Sequence, residues 1–228
     1  MGIRENVEKV LKQIEEAALR AGRRPEEVKL LAASKTRTPQ EIKEAYEAGV
    51  KLFGENRVQE AREKIPQLAD LKAQWHMIGH LQTNKVKYAV KLFDCIESVD
   101  REGLVEELQK RLSREGKVMP VLIEVKLSPE ESKHGCLPQE LPRLTEKVLN
   151  SPNLKLKGLM TVPPYFEDPE KVRPYFAELR RLRDELQEKF KVELPELSMG
   201  MSHDFPVAVE EGATIVRVGT AIFGPRNY

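Results

Sequence analysis

The chain has 228 residues, 38 of them basic and 37 acidic, for a formal net charge of +1 with both signs interspersed. That balance excludes a broad cationic face for nucleic acid or anionic lipid, and the apolar runs are too short to span a bilayer. The length suits one domain with a substantial core, and two distant cysteines, Cys95 and Cys136, offer no thiol pair for a metal and fit a reducing, cytoplasmic setting.

Residues 3–21 align Ile3, Val7, Val10, Leu11, Ile14, Ala17, Ala18 and Ala21 on one stripe, which predicts an amphipathic helix rather than a signal peptide. Residues 28–34 then form an apolar strand, stopped by Thr38-Pro39. By the two-residue period Leu31, Ala33 and Lys35 share a face, so a primary amine is aimed with core side chains at the strand's carboxyl end. An amine so placed is a candidate nucleophile toward aldehydes; the same placement also fits a lysine that snorkels to water. Thr38-Pro39-Gln40-Glu41 supplies an N-cap, a first-turn proline and a first-turn acid for a helix running to 48–49.

The alternation then repeats. Strands are predicted at 51–54, 75–79, 92–96, 119–125, 156–160, 194–198 and 214–218, with helices near 57–69, 83–91, 101–115, 138–150, 169–190 and 204–211. Eight strands alternating with helices predict a parallel sheet, and at this length closure into a (β/α)8 TIM barrel: one domain over 1–228, with an extra N-terminal helix. An open doubly wound sheet shares the alternation, but no Gly-x-Gly-x-x-Gly follows the first strand.

In such a barrel the chemistry collects at the carboxyl ends of the strands. Ser198-Met199-Gly200-Met201-Ser202 and Val218-Gly219-Thr220 occupy the ends of strands seven and eight, where backbone N–H groups and hydroxyls hold phosphate. Glycines there also serve simply to permit turns. An aldehyde-reactive lysine on strand one with a phosphate cradle after strands seven and eight points to pyridoxal 5′-phosphate. His76 and His80 bracket a strand end and diverge, with no third ligand nearby in sequence, so no metal site is expected. His134 beside Cys136 reads as an ordinary loop pair, Trp75 as packing between barrel and helices, and Arg180, Arg181 and Arg183 as a solvated face.

Five ordered motifs, Ala33-Ser34-Lys35-Thr36, Phe53-Gly54-Glu55-Asn56-Arg57-Val58-Gln59-Glu60, Trp75-His76-Met77-Ile78-Gly79-His80-Leu81-Gln82-Thr83-Asn84-Lys85, Leu197-Ser198-Met199-Gly200-Met201-Ser202 and Arg217-Val218-Gly219-Thr220-Ala221-Ile222-Phe223-Gly224, resemble the pyridoxal phosphate homeostasis protein family. That family is related to the amino-terminal barrel of alanine racemase. The resemblance implies that Lys35 carries the cofactor as a Schiff base, that Ser202, Gly219 and Thr220 hold the phosphate with backbone from Met201 and Gly200, and that Arg217 faces the pyridine nitrogen. Asn56 would approach the ring or its phenolic oxygen, with His80 close by. Because an arginine cannot accept a proton from the ring, the nitrogen would stay unprotonated and the cofactor would be a weak electron sink.

Lys133, on the loop after strand five, matches a family lysine that would serve as a secondary relay for the aldehyde. Arg37 stands where relatives commonly carry lysine, and a guanidinium forms no imine. Racemase relatives draw a second acid/base tyrosine from an added β domain, and here the sequence ends soon after strand eight. The expected function is therefore a carrier or buffer of pyridoxal phosphate, with apo enzymes as recipients, acting in vitamin B6 and amino-acid homeostasis as a monomer or weak dimer. A racemase or lyase of the alanine racemase type, and an aldolase-type Schiff-base enzyme, are the alternatives.

Overall fold

The computed structural model describes residues 2–129 and 134–226. Its strands are β1 (Lys29–Ala33), β2 (Leu52–Glu55), β3 (Gln74–Met77), β4 (Cys95–Val99), β5 (Met119–Glu124), β6 (Leu154–Met160), β7 (Glu196–Ser198) and β8 (Ile215–Val218). The helices are α1 (Ile3–Arg20), α2 (Pro39–Glu47), α3 (Val58–Lys64), α4 (Val86–Leu92), α5 (Glu102–Glu115), α6 (Leu141–Leu149), α7 (Arg173–Phe190), α8 (Phe205–Glu210) and the short α9 (Thr220–Phe223). All eight strands pair in parallel in chain order, and β8 pairs with β1 from Lys29↔Ile215 to Ala32↔Val218, closing the (β/α)8 barrel.

Closure divides the core in two. A small inner cluster of Leu31, Leu52, Cys95, Leu122, Met160 and Ile215 fills the barrel, while the larger apolar set packs between strands and helices. Each fully buried Leu, Ile or Phe contributes about 1.5–3 kcal/mol, so the outer layer supplies most of the hydrophobic stabilisation. Leu31 and Ala33 both belong to the inner side, as the two-residue period predicts.

The capping reading of α2 holds. Thr38 Oγ1 accepts the Glu41 N–H at 3.1 Å while Glu41 Oε1 accepts the Thr38 N–H at 2.9 Å, behind Pro39. Helix α1 buries Val7, Val10, Ile14, Ala17 and Ala18 against α8, α9 and α2, but its stripe is narrower than the pattern implied: Leu11 and Ala21 face solvent. Asn6 Nδ2 donates to Ile222 O at 2.9 Å and Arg23 Nη1 to Val209 O at 2.6 Å, tying both ends of α1 across the barrel's closing seam.

Strand β4 lies three residues later than its apolar run indicated. Leu92 still belongs to α4, whose last turn is closed by Phe93 N–H donating to Ala89 O, and Phe93 packs in the outer layer. Asp94 then turns the chain, with Oδ2 accepting the Trp75 N–H at 2.8 Å. Helix α9 was not foreseen, and four residues carry too little pattern to announce it. No helix among the described residues is long and apolar enough to cross a membrane.

Candidate functional site

Lys35 sits in a turn closed by Arg37 N–H donating to Ser34 O at 3.0 Å. The turn's third residue, Thr36, has φ +66°, a conformation usually left to glycine and costing a β-branched residue about 1–2 kcal/mol. Polar groups packed around it enforce it. Glu60 Oε2 accepts the Thr36 N–H at 2.6 Å, Lys64 Nζ donates to Ser34 O at 2.6 Å, and the Ser34 hydroxyl donates to the Glu55 carboxylate. Lys64 also pairs with Glu55 at 3.2 Å and with Glu60. Burial pushes the Glu55 carboxyl up from its ordinary value; Lys64 and the Ser34 hydroxyl oppose this, and the Glu60 charge reinforces it. Lys35 itself is half-buried, and its amine has no hydrogen-bond or ion-pair partner among the described residues.

The β1–β8 register sets Leu31 beside Arg217 and Ala32 beside Val218, so Gly219 falls next to Ala33, two residues from Lys35. A Cβ on Gly219 would stand 3.4 Å from Ala33 O. Ser202 Oγ accepts the N–H groups of Gly219 at 3.2 Å and Ala221 at 3.1 Å, which leaves its hydroxyl hydrogen to donate elsewhere. The Ser202 and Thr220 N–H groups have no partner among the described residues. A cavity of about 400 Å³ lined by Ser202, His203, Thr220, Ala221 and Pro225 opens at these donors. Gly200, at φ +102°, carries no side chain of necessity: a Cβ would lie 2.6 Å from Ala208 Cβ. These uncommitted donors fit a small anion such as a phosphate monoester. The Met201 N–H, expected among the phosphate donors, is committed to Asp204 Oδ1 at 2.8 Å, whereas the Ser202 N–H is uncommitted.

Arg217 projects into the barrel from β8 and is 3 % exposed. Its Nη1 donates to Ser198 Oγ at 2.7 Å and its Nη2 to Thr161 O at 2.8 Å. Ser198 Oγ in turn donates to Glu97 Oε1 at 2.5 Å, and Glu97 Oε2 meets His76 Nδ1 at 2.6 Å. Burial alone would raise the Glu97 carboxyl, but His76, Arg217 and Ser198 together hold it below the usual carboxylate range. Four strands thus fix one guanidinium.

Asn56 follows β2, with its main chain pressed against Gly79, where a Cβ would be 2.2 Å from Asn56 O. His80 stacks its ring on that of His134, with centroids 4.1 Å apart. It therefore lies toward β4 and β5, across the mouth from the Gly219–Ser202 cradle. Lys133 falls outside the described residues. Cys136 is buried and its thiol is pushed up to about 12 by burial and neighbouring carboxylates, which removes it as a nucleophile. Arg37 is a clamp, donating to Gly224 O at 2.6 Å and Phe223 O at 3.3 Å.

The structure thus gathers Lys35, Ser202, Arg217, Gly219 and Thr220. It adds Ser34, Glu55, Glu60 and Lys64 beneath the lysine, and His76, Glu97 and Ser198 beneath the arginine, none of which sequence reasoning assigned to the site. The available signal was a charged residue inside an apolar strand, as at Glu55 and Glu97.

Residues 6–227 match the family described as alanine racemase, N-terminal domain. A pyridoxal phosphate homeostasis protein of Aquifex aeolicus is 55% identical over 224 residues, covering 98% of each chain. One from Pseudomonas aeruginosa is 44% identical, covering 99% of this chain and 96% of its own. The structure of PipY from Synechococcus elongatus with PLP bound is 40% identical and superposes with a TM-score of 0.83, covering 92% of this chain and 100% of that one. Similarity of this extent leaves no part of the barrel unmatched, and the chain belongs to the pyridoxal phosphate homeostasis protein family.

Proposed function

We propose that this chain binds pyridoxal 5′-phosphate reversibly as a Schiff base on Lys35 and serves as a carrier or buffer, delivering the cofactor to apo enzymes and contributing to vitamin B6 and amino-acid homeostasis without efficient amino-acid turnover. The observation that carries the reading is an unpartnered Lys35 amine beside uncommitted anion donors at Ser202 and Thr220. A relative of 40% identity whose structure is described with PLP bound supports it. When bound, pyridoxal phosphate supplies an aldehyde that condenses with a primary amine.

The chain's own residues do the rest. Ser202, Gly219 and Thr220 orient the phosphate, and the tight turn at Thr36 holds Lys35 at a fixed distance from them. Arg217, immobilised by Ser198 and Thr161, presents a permanent cation to the ring nitrogen and, being donor-only, cannot accept a proton from it. Asn56 borders the ring from the β2 side.

The test is a titration of the purified protein with pyridoxal phosphate, followed by borohydride reduction and peptide mass mapping. The expected result is a visible absorbance band and a single modified residue, Lys35, both lost in Lys35→Ala. Rapid solvent-deuterium uptake into alanine or serine by the loaded protein would overturn the carrier assignment, and modification at another lysine would overturn the site.

A further inference from the structure

In sequence, His76 and His80 have no third ligand nearby. The fold separates that pair, sending His76 inward to Glu97, and brings His80 to two residues from other loops. His80 after β3, Asp100 after β4 and His134 after β5 place one ligand atom each within 4.8 Å of one another. We infer that these three side chains form a site for a late first-row divalent cation, with Zn²⁺ as its representative, at the rim of the barrel mouth opposite the cradle.

Two imidazoles and one carboxylate are the donor set of open zinc sites, which keep a fourth position for water. Binding requires the ligand atoms to draw in to about 3.3 Å, the separation set by metal–ligand distances near 2.0–2.1 Å. The His80 and His134 rings are now stacked, 15° from parallel, so one must tilt to converge its lone pair; His134 is exposed and free to do so. Asp100 is already oriented, with Oδ1 on Arg101 at 2.7 Å and Oδ2 accepting the Gly135 N–H at 3.2 Å. Burial, His134 and Arg101 lower the His80 pKa, and the Asp100 carboxylate opposes them. The cation would fasten the connection after β5 to the ends of β3 and β4.

Calorimetric titration of the full chain with Zn²⁺, and Co²⁺ titration read by its visible ligand-field bands, test the site. One equivalent is expected, with affinity falling at least about tenfold in His80→Ala, His134→Ala and Asp100→Asn and unchanged in His203→Ala. Absence of binding, or binding that survives both histidine substitutions or is equally lost in His203→Ala, would overturn the inference.

Discussion

Two fully buried carboxylates, Glu55 beneath Lys35 and Glu97 beneath Arg217, look alike until their partners are counted. Each accepts a serine hydroxyl and faces a cation, yet burial wins at Glu55, which is raised, and loses at Glu97, which is lowered. Glu97 has a donor on each oxygen, His76 and Ser198, and the Arg217 charge one hydrogen bond further on. Glu55 must share Lys64 with Glu60, whose own negative charge works against it. The arginine's support is therefore a saturated network, and the lysine's support is a shared one.

Glu97→Ala would break the saturated side. It strands a buried guanidinium, and urea denaturation is expected to show a loss of about 3–5 kcal/mol. Lys64→Met breaks the other side more gently, at about 2–3 kcal/mol, because burial raises the Glu55 pKa and protonation of that carboxyl would offset part of the missing cation.

The two sides also separate by pH. Glu97, held low in the fold, adds stability that is present above its unfolded-state pKa and is lost as pH falls through the lower folded value. Glu55, held high, contributes most below the ordinary carboxylate pKa and contributes less as pH rises through its raised folded value. Thermal midpoints between about pH 4 and about pH 7 should therefore move in favour of Glu55→Gln, relative to the unmodified chain, as pH rises, and against Glu97→Gln. The smallest effect belongs to the turn itself: Thr36→Gly relieves the left-handed backbone and is expected to stabilise by about 1 kcal/mol, measured by the same denaturation.

What could be read from the sequence was what repeats locally. The two-residue period placed Leu31 and Ala33 on one inner face, and the Thr38–Glu41 capping box announced α2. The glycines and hydroxyls after β7 and β8 marked the loops that carry the uncommitted Ser202 and Thr220 N–H groups, although Met201 shows that a loop N–H can be claimed by a neighbouring carboxylate. Partnerships spanning the barrel left no such trace. Glu97 meets Ser198 across 101 positions of sequence, and Lys64 reaches Ser34 across 30, so neither pairing has a periodic signature. The displaced β4 had a local cause, since Leu92 and Phe93 satisfy a helix end as well as a strand.

The seam between β8 and β1 has a consequence for assembly. In the proposed function the Lys35 amine works with donors at Ser202 and Thr220, so that site would join the first strand to the end of the last, and the entropy of closing nearly the whole chain must be spent before either half has its neighbour. A nascent polypeptide would have no grip on its ligand until the eighth strand docks. Ligand capture added to a refolding reaction would thus time the final step of folding, not an early one.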